Sequence, residues 1–223
     1  MTDLHAEINK DFFRQNLRRY TWQAYQQLPA VPHPSILDLG CGSGVPTLEL
    51  ALLSKGIVTA VDTDKAALSV LRTKARALGL AARIKILQRD FTRLRGLREH
   101  FDIVWSEGAA AVIGFARALT DWRRFLKPGG FLVLHDDFQD HTHKLDAIPK
   151  AAYRLLDHFR IGPDIWFRDY FKPLKEHLDT LQEKYANRPD YLAALEKEEA
   201  EFRAFQEDPN RCASVFYLMQ RNA

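Results

Sequence analysis

The chain has 223 residues, enough for one large α/β domain, and its 46% apolar and 27% charged residues are those of an ordinary globular protein. Its 32 Lys and Arg against 29 Asp and Glu leave a net charge of only +3, too small and too interspersed to mark a nucleic-acid or membrane surface. No stretch is long and apolar enough to span a membrane, the charged start (MTDLHAEINKDFF) lacks the apolar core of a signal peptide, and two cysteines do not make a disulfide framework, so a reduced, cytoplasmic setting is expected.

Apolar residues at Ile8, Phe12, Phe13, Leu17, Tyr20, Ala24 and Leu28 step by three and four, which predicts one amphipathic helix ending at the Pro29–Pro34 stretch. Ser35–Leu39 (SILDL) is a short buried strand running straight into GCGSG. A helix follows over Pro46–Ser54, with Gly56 as its stop, then a strand over Ile57–Asp62. Asp64 caps a helix whose inner face is Leu68, Leu71, Ala75 and Leu78, with Gly79 as its end. Ile84–Gln88 and Phe101–Ser106 are the third and fourth strands, and the basic run at Arg89, Arg93, Arg95 and Arg98 between them reads as a solvated helix face. Phe115, Leu119, Trp122 and Leu126 line the next helix, Lys127–Gly130 is a tight turn, and Phe131–His135 is a fifth strand. Regular strand-helix alternation implies a doubly wound, mostly parallel sheet.

The last third changes character. Tyr153–Arg160 reads as a sixth strand or a helix end. Two charged helices then place Leu174, Leu178, Leu181 and Tyr185, and Tyr191, Leu195, Phe202 and Phe205, on their inner faces. The Asn187-Arg188-Pro189 break between them makes a helical hairpin over 163–210, and SVFYLMQ (Ser214–Gln220) is a closing strand. We expect a single domain over 1–223, with an N-terminal helix in 1–30 and a ligand-binding core in 35–137.

Asp38-Leu39-Gly40-Cys41-Gly42-Ser43-Gly44 lies between a strand and a helix, where glycines let the backbone turn sharply and expose main-chain N–H groups. Alone it fits any doubly wound nucleotide binder. Three further features sharpen it. Asp62 ends the second strand, where a carboxylate can accept both hydroxyls of a ribose. Asp90-Phe91 follows the third, where an acid can take an adenine amino group while the ring covers it. Lys127-Pro128-Gly129-Gly130 precedes the fifth. Acids at three successive strand ends line one edge of the sheet, the ligand-binding edge of open α/β folds.

LDLGCGSG, the acid in AVDTD, the QRDF segment and the LKPGG turn together resemble the class I S-adenosylmethionine-dependent methyltransferases over Ser35 to Asp137. The resemblance implies a Rossmann-like seven-stranded sheet whose last strand inserts antiparallel beside the fifth. It implies S-adenosylmethionine as cofactor and S-adenosylhomocysteine as product. Gly40, Cys41, Gly42 and Gly44 would then pack against the methionine part and Asp38 would support its amino group. Asp62, with Thr63 beside it, would hold the ribose; Asp90 and Phe91 would contact adenine; Ser106 would complete the contacts.

More narrowly, Trp105-Ser106-Glu107-Gly108, Ile113-Gly114-Phe115 and Trp166–Leu174 look like a subgroup of small prokaryotic methyltransferases with a helical hairpin before the last strand. That gives the reaction and not the substrate. Ala109-Ala110-Ala111 departs from the bulkier residues expected there, which would enlarge or silence an acceptor pocket.

Methyl transfer from a sulfonium needs water excluded, the acceptor aligned and sometimes a proton removed. Glu107, at the end of strand four, is the first candidate for acceptor orientation or general base; its bland alternative is a residue that stabilises the next helix. His135, in the polar stretch His135-Asp136-Asp137 with His141 and His143 beyond it, is the second candidate base. The spacing of that stretch matches no closed zinc site, so no metal is expected and a polar loop is the plainer reading. Trp166 and Tyr170 are candidate acceptor contacts or simply packing.

Two other classes compete with this reading. A nicotinamide oxidoreductase prefers G-x-G-x-x-G, whereas this loop reads Gly40-x-Gly42-x-Gly44. A non-catalytic S-adenosylmethionine-binding regulator remains open because fold does not fix function. Among methyl acceptors, a small molecule is favoured over RNA, DNA or protein, since no basic face and no Asn/Asp-Pro-Pro-aromatic run follows strand four. A monomer or a homodimer is expected.

Overall fold

The structure, a computed structural model, describes residues 4–222. Contacts between chain segments divide it into two compact units, a sheet unit of Arg18–Arg160 with the closing strand, and a helical unit of the N-terminal residues up to Leu17 with Ile161–Ala213.

In the sheet unit, β1 (Ser35–Leu39) is buried from its second residue to its last, so it must lie inside the sheet. It pairs in parallel with β2 (Ile57–Asp62) on one side and β4 (Phe101–Glu107) on the other. Beyond them lie β3 (Ile84–Gln88), β5 (Leu126–Asp137), β6 (Tyr153–Ile161) and β7 (Ser214–Arg221). The order is β3-β2-β1-β4-β5-β7-β6, with β7 antiparallel to β5. The seven-stranded sheet and the antiparallel last strand are as the resemblance implies. Because the winding reverses between β1 and β4, a crevice opens at their carboxyl ends, where ligands bind in such sheets.

The N-terminal segment is not one helix. It forms α1 (Leu4–Ile8), α2 (Lys10–Arg14), a 3-10 turn and α3 (Arg18–Gln26), because Asn9 adopts a left-handed φ of 44°. Only α3 belongs to the sheet unit. Next come α4 (Val45–Ser54), α5 (Lys65–Ala77), α6 (Phe115–Arg123) and α7 (His141–Lys150). Asp64 caps α5 by accepting from the N–H groups of Ala66 and Ala67 at 2.8 and 3.1 Å. Phe115, Leu119 and Trp122 of α6 pack with Val104, Leu132, Leu134 and Tyr217 in the sheet's main core.

Local expectations fail where packing overrides pattern. Leu78 is exposed, because α5 stops at Ala77 and the chain turns so that Leu80 enters the core instead. Lys127–Gly130 is not a free turn but part of β5, whose pairing with β4 shifts register between Phe101 and Ile103. His141 and His143 lie in α7 rather than in a polar loop. The basic run is no helix face: Arg93 ends a 3-10 turn and Arg95–Arg98 lie on an irregular loop.

In the helical unit, α8 (Pro163–Trp166) runs through a π-helical turn at Phe167–Phe171 into α9 (Lys172–Lys184), and α10 (Pro189–Glu207) completes the hairpin. Pro173 has no N–H to give the carbonyl four residues back, which explains the widened turn. That carbonyl, of Asp169, instead accepts from Asn16 Nδ2 at 2.9 Å. Glu7 accepts from Tyr185 Oη at 2.7 Å and pairs with Lys184 at 2.8 Å, fastening α1 to α9.

Gly56 is required by space rather than by its torsions. A Cβ there would lie 2.0 Å from the Pro34 carbonyl oxygen, beside the 3.0 Å bond from Ile57 N–H that starts the β1–β2 pairing. Backbone cannot yield as a side chain would, so Gly56→Ala is expected to destabilise by about 2 kcal/mol or more in urea unfolding. An unchanged midpoint would contradict this packing.

Candidate functional site

At the end of β1 the chain leaves the sheet through Gly40 and Gly42, both left-handed at φ 73° and 51°, before Gly44 leads into α4. The N–H groups of Gly40 and Cys41 both return to the Val61 carbonyl at 2.9 and 3.1 Å, folding the loop over the end of β2. A Cβ on Gly40 would sit 2.2 Å from that of Ala109, whereas one on Gly42 would meet nothing within 4 Å. Gly40 is therefore pressed against the β4 loop while Gly42 faces open space. Ala109, the first of the three alanines that depart from the expected bulkier residues, is the residue Gly40 is pressed against.

Asp62 braces this loop from β2. Its Oδ2 accepts from Gly42 N–H at 2.7 Å and its Oδ1 from Asp64 N–H at 2.9 Å. Each oxygen keeps a lone pair, so the carboxylate can still accept from a ligand. Thr63 beside it is exposed, and its carbonyl accepts from Gln88 Nε2 at 3.3 Å. Asp90 begins a 3-10 turn by accepting from Thr92 N–H and Oγ1 at 2.8 and 2.6 Å, and those bonds hold its carboxyl below the usual range. Phe91, partly buried, meets Trp122 edge-on at 5.7 Å between ring centroids.

Asp38 is almost wholly buried, and Thr47 Oγ1 of α4 donates to it at 2.5 Å. Burial pushes its carboxyl up to about 7, against the stabilising Thr47 bond. Cys41 is buried, which drives its thiol far up and makes it a poor nucleophile. Ser106 is buried and donates to the Leu39 carbonyl at 2.9 Å, locking the ends of β1 and β4 together.

Glu107 ends β4. Thr21 Oγ1 of α3 and Trp105 Nε1 both donate to its Oε1 at 2.8 Å, and among the described residues none bonds its Oε2. Burial, with a smaller push from Asp38, raises it to about 7. It does not cap a helix, since α6 begins only at Phe115. Thr21 was not singled out from sequence, and Trp105 only as part of a motif, because a threonine on a helix and a tryptophan in a strand look like packing until the fold brings them to one oxygen.

His135 faces Glu107 across the β4–β5 register. Its Nε2 bonds Ser214 Oγ at 2.7 Å and its ring stacks on Phe216 at 4.3 Å. Burial lowers it to about 4, so it is neutral near pH 7. Lys144 pairs with both Asp136 and Asp137, at 2.8 and 2.7 Å, and His141 Nδ1 bonds Tyr217 Oη at 2.8 Å. Among the described residues no three His, Cys, Asp or Glu converge as a metal site would need. In the helical unit, Tyr170 is buried against Phe171 and Trp166, and packing is the role the structure gives it. Trp166 is only partly buried.

A methyltransferase-domain family profile matches residues 36–130, the segment that carries this loop and its acids. Over 216 residues the chain is 31% identical to the ubiquinone/menaquinone biosynthesis C-methyltransferase UbiE of Shewanella sp. (strain ANA-3), covering 86% of this chain and 84% of that one. The chain belongs to the class I S-adenosylmethionine-dependent methyltransferases. Its cofactor is S-adenosylmethionine. The methyltransferase GfsG of Streptomyces halstedii is 29% identical over 119 residues, which span 53% of this chain but only 43% of that protein. The fold is that of a methyltransferase from Thiobacillus denitrificans solved with S-adenosylhomocysteine, with a TM-score of 0.75 at 16% identity over 92% of this chain and 91% of that one.

For a methyltransferase these buried acids carry a cost when no cation is bound. The Asp38 carboxyl keeps its proton to about pH 7 in the folded protein but releases it near 4 when unfolded. The folded state therefore binds the extra proton, and stability falls as pH rises through that window. Asp38→Asn is expected to gain about 2 kcal/mol on the wild type between about pH 5 and about pH 8, read from urea unfolding without cofactor. A difference that does not change with pH would contradict it.

Proposed function

We propose that this methyltransferase acts on a small-molecule acceptor at the carboxyl ends of β1 and β4, with Glu107 orienting the acceptor and taking its proton. The observation that carries this is the one-sided bonding of Glu107. Two donors fix Oε1, so the carboxyl cannot rotate, and Oε2 is left to accept. A carboxyl raised to about 7 is near the value that serves a base at neutral pH. His135, lowered to about 4 by burial, is a weaker base than Glu107, and we assign it to the wall beside Glu107.

The residues of the carboxyl edge fit the cofactor. The open space at Gly42 suits close approach of a ligand to backbone. We assign the ribose hydroxyls to Asp62, with Thr63 beside it, the cationic amino group to the electrostatic reach of Asp38, and the adenine to Asp90 and Phe91. Gly40, Cys41 and Gly44 hold the loop's shape, and Ser106 holds the strand ends that frame it. When bound, S-adenosylmethionine supplies a methyl group on a sulfonium, and its transfer leaves S-adenosylhomocysteine. Glu107 then accepts the proton that the acceptor gives up. Its charge also favours a cation beside it, and Thr21 and Trp105 keep it aimed.

The small-molecule reading is supported by the UbiE relative, which is named for ubiquinone and menaquinone biosynthesis and for methylation at carbon. Among the described residues no helix is long and apolar enough to cross a membrane. Cys41 and Cys212 are unbridged, which supports a reducing, cytoplasmic compartment.

The test is transfer of a labelled methyl group from S-adenosylmethionine to a panel of phenols, quinols and amines. Once an acceptor is found, Glu107→Gln is expected to lower kcat about a hundredfold while cofactor affinity stays within a few-fold. Turnover at the wild-type rate would remove Glu107 from the chemistry.

A further inference from the structure

The amino edge of the sheet carries a second feature that methyl transfer does not use. The cofactor residues all lie at carboxyl ends of strands. The loop Leu94–Arg98 instead runs to the start of β4, and Arg124-Phe125 lead directly into β5, so this feature sits at the opposite edge. The loop is pinned there. Glu99 N–H donates to the Arg124 carbonyl at 2.9 Å, His100 and Phe101 N–H to the Phe125 carbonyl at 3.0 Å, and Arg124 Nη2 to the Leu94 carbonyl at 3.2 Å.

Between loop and helix end lies a cavity of about 370 Å³. It is lined by the partly exposed Leu97, by Leu94 and Phe125 where they reach the surface from the core, and by the exposed Arg95, Arg98 and Arg124, the last lying over the Phe125 ring at 4.8 Å. The sequence writes this as Leu-Arg-Gly-Leu-Arg, two apolar–basic pairs hinged on Gly96, whose φ is 77°. Among the described residues none of the three guanidiniums has a carboxylate partner. The nearby acids are already engaged, Glu99 by Arg221 at 2.7 Å and Asp102 by Lys127 at 2.8 Å. Three like charges around one cavity repel one another and gain from an oxyanion, whose geometry the guanidinium fork matches. The volume is at the lower end of small-molecule pockets.

We propose that this amino-edge cavity binds an amphiphilic anion, a phosphate or carboxylate on an apolar body, at a site separate from the methyl-transfer site. The arginines hold the oxyanion, and Leu97 with the methylene stems of the arginines takes the apolar part. The proposal does not rest on the assignment of Glu107 or of the acceptor.

Octyl phosphate, inorganic phosphate and octanol are titrated calorimetrically into the full chain. Octyl phosphate is expected to fill one site per chain, about tenfold or more tighter than either fragment. The variant with Arg95→Gln, Arg98→Gln and Arg124→Gln should lose that binding about tenfold or more, with S-adenosylmethionine affinity unchanged. Because Arg124 also holds the loop, Arg98→Gln alone provides a second variant, expected to weaken binding severalfold at an unchanged melting temperature. Cosedimentation with phosphatidylglycerol vesicles, lost in the triple variant, would assign the anion to a lipid; binding of soluble octyl phosphate without cosedimentation would assign it to a free solute. Equal affinity in wild type and both variants, or inorganic phosphate binding as tightly as octyl phosphate, would overturn the proposal.

Discussion

The carboxyl end of β1 is the constraint on which the rest of the molecule turns. A strand paired on both sides and buried on both faces has to leave the sheet abruptly if a ligand is to reach its end. Two left-handed glycines make that exit, and the Asp62 carboxylate on the neighbouring strand fixes it through the Gly42 N–H at 2.7 Å. Ser106 ties the same strand end to β4. The loop, Asp62 and the end of β4 thus form one braced unit, with Ala109 packed against Gly40.

Around that exit the chain concentrates carboxyls that burial makes costly. Asp38 and Glu107 are both raised to about 7, and Glu107 feels the charge of Asp38. A structure selected only for stability would replace them with apolar or amide groups. Their retention fits a site that receives a cationic cofactor, where the same desolvation strengthens attraction to the ligand. Thr21 and Trp105 give this arrangement direction by spending both their bonds on one oxygen of Glu107. At the amino edge, by contrast, Arg95, Arg98 and Arg124 have no carboxylate partner among the described residues, and the site proposed there prefers an anion.

Much of this was legible in the sequence, because the informative features are local. Strand followed by glycine loop followed by helix, and an acid at each strand end, are fixed by a few adjacent residues, and Asp38, Asp62 and Asp90 fall at the carboxyl edge as expected. The antiparallel β7 is what the family resemblance implies, and SVFYLMQ after the long excursion suits it. What the sequence concealed depends on contacts across the chain. Thr21 and Glu107 are brought together only by the packing of α3. The break at Asn9 depends on a single left-handed residue inside an unbroken apolar period. His141 and His143 open α7, whose apolar contacts Leu145 and Ile148 come only after them, so its polar start reads as loop. Tyr170, an attractive acceptor contact as a sequence neighbour of Trp166, is consumed by the core of the helical unit.

The most direct test of the central claim is calorimetric titration of S-adenosylmethionine into the wild-type protein and into Asp62→Ala, with NADH as a control. One-to-one binding, weakened about thirtyfold or more in the variant and absent with NADH, is predicted from losing a charge-assisted pair of hydrogen bonds. Equal affinity in the two proteins would show that the loop braced by Asp62 is not where the cofactor sits. Binding of NADH in place of S-adenosylmethionine would contradict the account as a whole.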